Sequence, residues 1–319
     1  MITNPEIGNV PMSNPLRIIF MGTPEFAVPS LQLLLDSTCE VVAVITAPDR
    51  PSGRGQKLTE SPVKQCAVAN GVPVLQPEKL KNPEFLATLR ALNADLQVVV
   101  AFRMLPEVVW AMPRRGTFNL HASLLPDYRG AAPINWAIMN GETETGVTTF
   151  FIEKEIDTGK IIFQEKQLIA PDDTAGSLYE RLMHQGAQLV LRTVQAIEAG
   201  SYPQIPQPAV REGKEAPKIF RETCEINWNR PAADIRNFVR GLSPYPAAWT
   251  TLNGQLCKLY TVSVVDPEPK KAAEPGDYWT DNKTFLYFRA ADSWLAVHDL
   301  QVEGKKRMKV DELLRGFRL

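Results

Sequence analysis

A chain of 319 residues that is 44% hydrophobic and 22% charged, with a formal net charge of −1, has the composition of a globular protein with room for two domains. No apolar run approaches the roughly 20 residues that span a bilayer. The four cysteines, Cys39, Cys66, Cys224 and Cys257, are too scattered for a disulfide framework or a zinc site, so the expected compartment is cytoplasmic. From Pro217 onward 16 Lys+Arg stand against 13 Asp+Glu, whereas the residues before it carry 19 against 23. The balance excludes a strongly polyionic binder and leaves a mildly basic C-terminal part suited to an anionic partner.

Residues 1–15 lack the basic and apolar regions of a signal peptide and read as a disordered leader. Leu16 to Met21 is a short apolar run closed by Gly22-Thr23-Pro24 and followed by an amphipathic stretch to Leu35, which is the strand–turn–helix opening of a βαβ unit. One glycine in the turn, with Pro24 where a backbone must approach a pyrophosphate, argues against a dinucleotide site. Glu40–Thr46 is a second strand. The segment Ala47 to Leu58 is rich in Pro and Gly and carries Arg50, Arg54 and Lys57. It reads as a solvated connector or as a mobile basic arm for phosphates.

Helices are expected from Ser61-Pro62 to Asn70-Gly71 and from Asn82-Pro83 to about Asn93, with a short strand at Val72–Leu75 between them. Leu96–Phe102 is a buried strand. In the next strand Phe118-Asn119-Leu120-His121 alternates apolar and polar, so Asn119 and His121 share a face. Ligands in open α/β sheets sit at the carboxyl ends of strands, which makes this pair the candidate centre, although either residue alone could be a satisfied structural polar group. A helix (131–139), strands at 146–152 and 160–163 and a long helix capped by Asp172-Asp173-Thr174 complete this half. Asp157-Thr158-Gly159 lies between the two strands, and its Asp could serve simply as a turn former. Gly200–Pro217, with four prolines, is an extended linker. A helix at 232–242 and short alternating runs follow as a small β-barrel, with Lys305-Lys306-Arg307 a basic cluster near its end.

Two runs and the Asp-Thr-Gly turn now carry a resemblance: Asn119-Leu120-His121-Ala122-Ser123-Leu124-Leu125-Pro126, Tyr128-Arg129-Gly130-Ala131-Ala132-Pro133, and Asp157-Thr158-Gly159. With Phe20 to Ala27 and Pro48 to Gly55, they make the chain, from Leu16 to its end, resemble the 10-formyltetrahydrofolate-dependent formyltransferases. The resemblance implies a doubly wound, mostly parallel Rossmann-like catalytic domain (16–199), the linker (200–217) and a C-terminal OB-like β-barrel that binds tRNA (218–319). It implies that Asn119, His121 and Asp157 are catalytic. Formyl transfer to an amine passes through a tetrahedral oxyanion, to which an amide and an imidazole can donate, while a carboxylate can assist the proton.

The formyl donor implied is 10-formyltetrahydrofolate, as co-substrate and without a metal. Its pocket would involve Phe102, Arg103, Met104, Leu105, Ser123, Leu124, Leu125, Pro126 and Ile156. Arg103 and Ala122 stand where relatives usually carry glycine, and the chain ends sooner after Leu314 than many relatives do. Within the family, the basic loop and the C-terminal part point to initiator methionyl-tRNA as acceptor, with contacts from Arg50, Arg54, Lys57, Lys305, Lys306 and Arg307; a monomer without membrane contact is expected. The alternatives are an amino sugar or other small amine as acceptor, a folate- or RNA-binding module without catalysis, and, against the missing glycines, a nicotinamide dehydrogenase.

Overall fold

The apolar run Arg17–Gly22 is the first strand, β1, of the computed structural model, which describes residues 15–52, 57–209, 212, 214–266, 269, 271–316 and 318. All of the expected leader but Pro15, and Arg54 of the basic loop, lie outside the described residues. The chain divides into two units, one ending at Thr117 and one beginning at Phe118.

In the first unit β1 is flanked in parallel by β2 (Glu40–Ile45), and β3 (Arg50–Ser52) and β4 (Lys57–Thr59) form an antiparallel hairpin. The connector expected at 47–58 therefore has local order, because a hairpin pairs backbone groups that apolar patterning does not report. With β5 (Val74–Leu75) and β6 (Leu96–Val100) the parallel order is β5-β2-β1-β6. β6 is buried at every position, as a strand covered on both faces must be. The helices α1 (Val28–Leu35), α2 (Pro62–Ala69) and α3 (Pro83–Ala91) alternate with these strands, giving the mostly parallel, Rossmann-like order expected from the sequence. Their starts obey local chemistry. Ser61 Oγ accepts from the Lys64 N–H at 3.1 Å and Asn82 Oδ1 from the Glu84 N–H at 2.8 Å, with proline at the first helical position of both. β6 stops two residues short of the expected end because Ala101 turns to φ +48°.

The second unit opens on β7 (Thr117–His121, from Phe118), followed by β8 (Arg129–Gly130), the helix Pro133–Met139 (α4), and β9 (Glu144–Phe151) with β10 (Ile161–Leu168). β7, β9 and β10 run antiparallel. The 25-residue helix Ala175–Ala199 (α5) packs on β9 and β10 along an apolar stripe that includes Leu178, Leu182, Val190 and Ile197. Thr174, not an aspartate, is its N-cap, in a reciprocal capping box with Ser177. Asp173 instead accepts from the Ala170 N–H at 2.7 Å, from Ser177 Oγ at 2.8 Å and from both Arg181 guanidinium nitrogens at 2.7 and 2.6 Å.

These donors hold the buried Asp173 carboxyl down at about 2, with Arg181 the largest cause. Because the folded value lies below the ordinary unfolded one, the stabilisation is complete above about pH 4 and lost as pH falls through about 2. Asp173→Asn is expected to lower unfolding stability at pH 7 by roughly 2 kcal/mol. Denaturant titrations of both chains should converge between pH 4 and pH 2.

The short strand Glu215–Ala216 (β11) pairs with β8 in parallel. Beyond it the helix Ala232–Leu242 (α6) covers a six-stranded antiparallel sheet of the OB-like barrel domain, β12 (Ala248–Leu252), β13 (Gln255–Val264), β14 (Tyr278–Thr280), β15 (Leu286–Arg289), β16 (Trp294–Val302) and β17 (Met308–Lys309). Asn253 and Gly254, both at positive φ, form the tight β12–β13 turn. The core contains Phe288, Leu295, Leu300 and Val239, and Trp228 stacks on Phe288 at 4.7 Å. Among the described residues no helix is long and apolar enough to cross a membrane, and none of the four cysteines is joined in a disulfide.

Candidate active site

The last residues of β7 present two faces. Phe118 and Leu120 point into the core, while half-buried Asn119 and buried His121 stand side by side on the other face. Opposite them on β9, Phe150 pairs with Asn119 and Thr148 with His121. The Asn119 side-chain amide has no hydrogen-bond partner among the described residues, so its N–H groups are available to a ligand.

The His121 ring is fixed at one end. Its Nε2 lies 2.8 Å from the Tyr128 carbonyl oxygen. A carbonyl can only accept, so Nε2 carries a proton and, in the neutral ring, Nδ1 carries the lone pair. Nδ1 faces Asp157 Oδ2 at 3.9 Å, longer than a hydrogen bond and within the range of an ion pair. When the ring takes up a second proton, it resides on Nδ1 against that carboxylate. Oδ2 also accepts the Gly130 N–H at 3.0 Å, which fixes the carboxylate relative to β8.

Asp157 sits at φ +55°, a conformation that costs a non-glycine residue free energy and persists only where surrounding contacts enforce it. The turn that Asp157 forms is thus also what aims its carboxylate at the His121 ring. Two residues on, Gly159 is so close to the Phe151 carbonyl that an added Cβ would lie 1.7 Å from its oxygen.

The loop joining β7 to β8 is held by a polar cluster. Ser123 Oγ donates to the Asp127 carbonyl at 2.7 Å, Thr148 Oγ1 donates to the Ser123 carbonyl at 2.6 Å and accepts the Leu125 N–H at 3.2 Å, and Gln164 donates to the Leu125 carbonyl at 2.9 Å. Tyr128, at φ +59°, donates its hydroxyl to Glu142 at 2.5 Å, and Lys214 pairs with the same carboxylate.

The segment expected as a linker is tied to this site. Ile205 and Ile161 exchange backbone hydrogen bonds at 2.8 and 2.9 Å, the Lys214 carbonyl accepts the Tyr128 N–H, and Gln207 contacts Arg129 and the Asp157 turn. Sequence reasoning passed over Gln207, Thr148, Gln164 and the backbone groups of Tyr128 and Gly130. None carries a pattern signal, apart from the glycine of Arg129-Gly130.

Of the residues expected around the formyl donor, Ser123 and Leu125 are buried, Leu124 and Pro126 half-buried, and Ile156 exposed. In the first unit Phe102 is half-buried, Leu105 buried and Met104 exposed. The Arg103 guanidinium donates to the carbonyls of Glu78 (2.8 Å) and Pro77 and lies over the Phe102 ring, so this side chain is tied to its own surface.

Of the basic residues, Arg50 on β3 is exposed, Lys57 belongs to β4, and Lys305 and Lys306 are exposed beyond β16. Arg307 is committed internally. It grips buried Asp299 with Nε at 3.0 Å and Nη2 at 2.6 Å and stacks 4.1 Å over Tyr260. An open cleft of about 590 Å³ next to Ala131 and Ala132 is lined by Lys218, Phe220, Arg221, Tyr245 and Lys258, a basic and aromatic lining that sequence reading did not single out.

Comparison with known proteins gives a match to the family described as formyl transferase over residues 16–194 and to the formyl transferase C-terminal domain over 218–318. The methionyl-tRNA formyltransferase of Bacteroides fragilis is 55% identical over 310 residues, 95% of this chain and 96% of that one. Two solved structures share the fold. An N-formyltransferase from Helicobacter canadensis, in complex with folinic acid and dTDP-3-aminofucose, aligns with a TM-score of 0.62 at 21% identity over 92% of this chain and all of the other. HypX from Aquifex aeolicus, in complex with tetrahydrofolic acid, aligns with a TM-score of 0.65 at 18% identity over 95% of this chain, which spans about half of HypX (47%).

Proposed function

Starting from a chain that belongs to the formyl transferase family, we propose that it moves the formyl group of 10-formyltetrahydrofolate to the α-amino group of methionine on initiator methionyl-tRNA. Similarity along nearly the whole length to a methionyl-tRNA formyltransferase is the observation that carries this reading. The site chemistry supports it. The Asn119 amide, without a partner among the described residues, donates to the oxygen that becomes negative as the amine adds to the formyl carbon. His121 takes the amine proton on Nδ1, the ring nitrogen that Tyr128 leaves available. Asp157 faces the positive charge this creates. The amide nitrogen of the folate leaves with a proton, which the imidazolium formed on His121 gives back as the carbon–nitrogen bond to the folate breaks.

We assign residues 16–199 to formyl transfer and 218–319 to the RNA, with 200–217 between them, and place the working protein in the cytoplasm as a monomer. The cleft lined by Lys218, Phe220, Arg221 and Tyr245 suits a single-stranded tRNA end, since cations track phosphates and rings stack on bases. Lys305 and Lys306 extend the footprint on this unit, and we assign Arg50, Arg54 and Lys57, the basic residues of segment 47–58, to the tRNA as well. Arg307 contributes by holding the strand end rather than by free charge.

The acceptor is tested by supplying 10-formyltetrahydrofolate with methionine-charged initiator tRNA, methionine-charged elongator tRNA or amino sugars. Product confined to the initiator tRNA is the expected result, and transfer only to an amino sugar would overturn the assignment. Converting Lys305 and Lys306 to alanine should raise KM for the tRNA and lower the slope of log KM against log salt by about 1 for each phosphate no longer neutralised. An unchanged slope would remove these two lysines from the interface.

A further inference from the structure

Asp157 needs two things to face His121: a backbone held in a left-handed conformation and a carboxylate held toward β8. One side chain from outside the motif residues serves both. The Gln207 amide nitrogen donates to the Asp157 carbonyl at 3.0 Å and to the Gly159 carbonyl at 2.7 Å. Its amide oxygen accepts from Arg129 Nη2 at 2.7 Å and Nε at 3.2 Å. The partners fix the orientation of the amide, since two carbonyls can only accept and a guanidinium can only donate. Arg129 is followed directly by Gly130, whose N–H binds Asp157 Oδ2. Gln207 thus ties the turn that carries Asp157 to the strand that supplies the hydrogen bond to its carboxylate. Its own segment is anchored two residues earlier by the Ile205–Ile161 bridge.

From this geometry we infer that Gln207 is a positioning residue for formyl transfer, acting through Asp157. The inference rests on the proposed reaction and adds to it a residue from the segment between the two family matches. Gln207→Glu keeps the shape and the acceptor for Arg129 but turns a negative oxygen toward two carbonyls. Gln207→Ala removes the donor and the acceptor together.

Both variants are expected to lose on the order of 10²-fold in kcat, because small misplacements of a catalytic group have effects of that size. KM for donor and acceptor should stay within about twofold, as should the fraction folded. In an Asp157→Asn background the same Gln207→Ala change should cost less than about twofold, since residues acting as a unit are not additive. Wild-type kcat in Gln207→Glu, a loss confined to KM, or full additivity with Asp157→Asn would overturn the inference while leaving the reaction in place.

If the unaltered protein transferred no formyl group to any acceptor, the proposed reaction would fall, and a crystal structure of Gln207→Glu would decide the inference by itself. Asp157 displaced from the Gly130 N–H supports it. Asp157 in place overturns it.

Discussion

Replacing His121 with alanine is expected to lower kcat by roughly 10²–10⁴-fold, the range for loss of a positioned acid–base group, and to leave KM for both substrates within a few-fold. The two ring nitrogens have different duties. Nε2 is spent on the Tyr128 carbonyl and Nδ1 alone looks toward Asp157. A glutamine at this position could keep the bond to Tyr128 yet could not take up a proton, so it should be nearly as slow as alanine. Alanine also leaves a buried carbonyl without its donor, at a cost of about 1–3 kcal/mol in stability, so folding must be checked by circular dichroism. Single-turnover formylation with saturating donor is the measurement. Activity within tenfold of the parent in both variants would remove His121 from the chemistry.

Gly159→Ala should be the most damaging methyl group that can be added near the site. Its Cβ would lie 1.7 Å from the Phe151 carbonyl oxygen and 2.8 Å from its carbon, and both are backbone atoms next to the hydrogen bond from the Phe151 N–H to the Lys160 carbonyl. No side chain can rotate away, so the turn itself must move, at a cost of about 3 kcal/mol or more, and it carries Asp157 with it. The control is Gly304→Ala, where φ is +76° and nothing lies within 4 Å of the added atom. Conformation alone is penalised there, at about 1 kcal/mol, the cost of a Cβ in the left-handed region. Urea denaturation should separate the two variants by roughly 2 kcal/mol. Equal stability would mean that the Gly159 turn yields more easily than its surroundings imply.

What the sequence made legible were features with a period or a fixed chemical signature. β1, β2 and β6 appear as apolar runs, α2 and α3 announce themselves through Ser61-Pro62 and Asn82-Pro83, and the pairing of Asn119 with His121 follows from strand alternation. Asp157 could not be joined to them by spacing, and the resemblance supplied it. The features that stayed hidden depend on backbone groups or on partners far along the chain. The Tyr128 carbonyl and the Gly130 N–H, which orient His121 and Asp157, exist at every residue and so mark none. The hairpin of β3 and β4 forms in a stretch whose prolines and glycines suggest its absence. Arg307 looked like free positive charge because its carboxylate, Asp299, lies on a different strand position and is buried.

The pairing of β11 with β8, together with the Ile205–Ile161 bridge and the Lys214–Glu142 ion pair, bears on where this protein can be cut and rejoined. A chimera spliced at Ala199 would carry Asn119, His121 and Asp157 intact and still leave behind the strand and side chains that hold their neighbours. A donor barrel grafted there would have to bring its own version of residues 205–216, matched to a foreign β8. The seam that respects these hydrogen bonds lies after Pro217, whose carbonyl accepts the Trp136 indole N–H. Exchange of whole modules between relatives should therefore treat the proline-rich stretch as cargo of the first module rather than as a spacer.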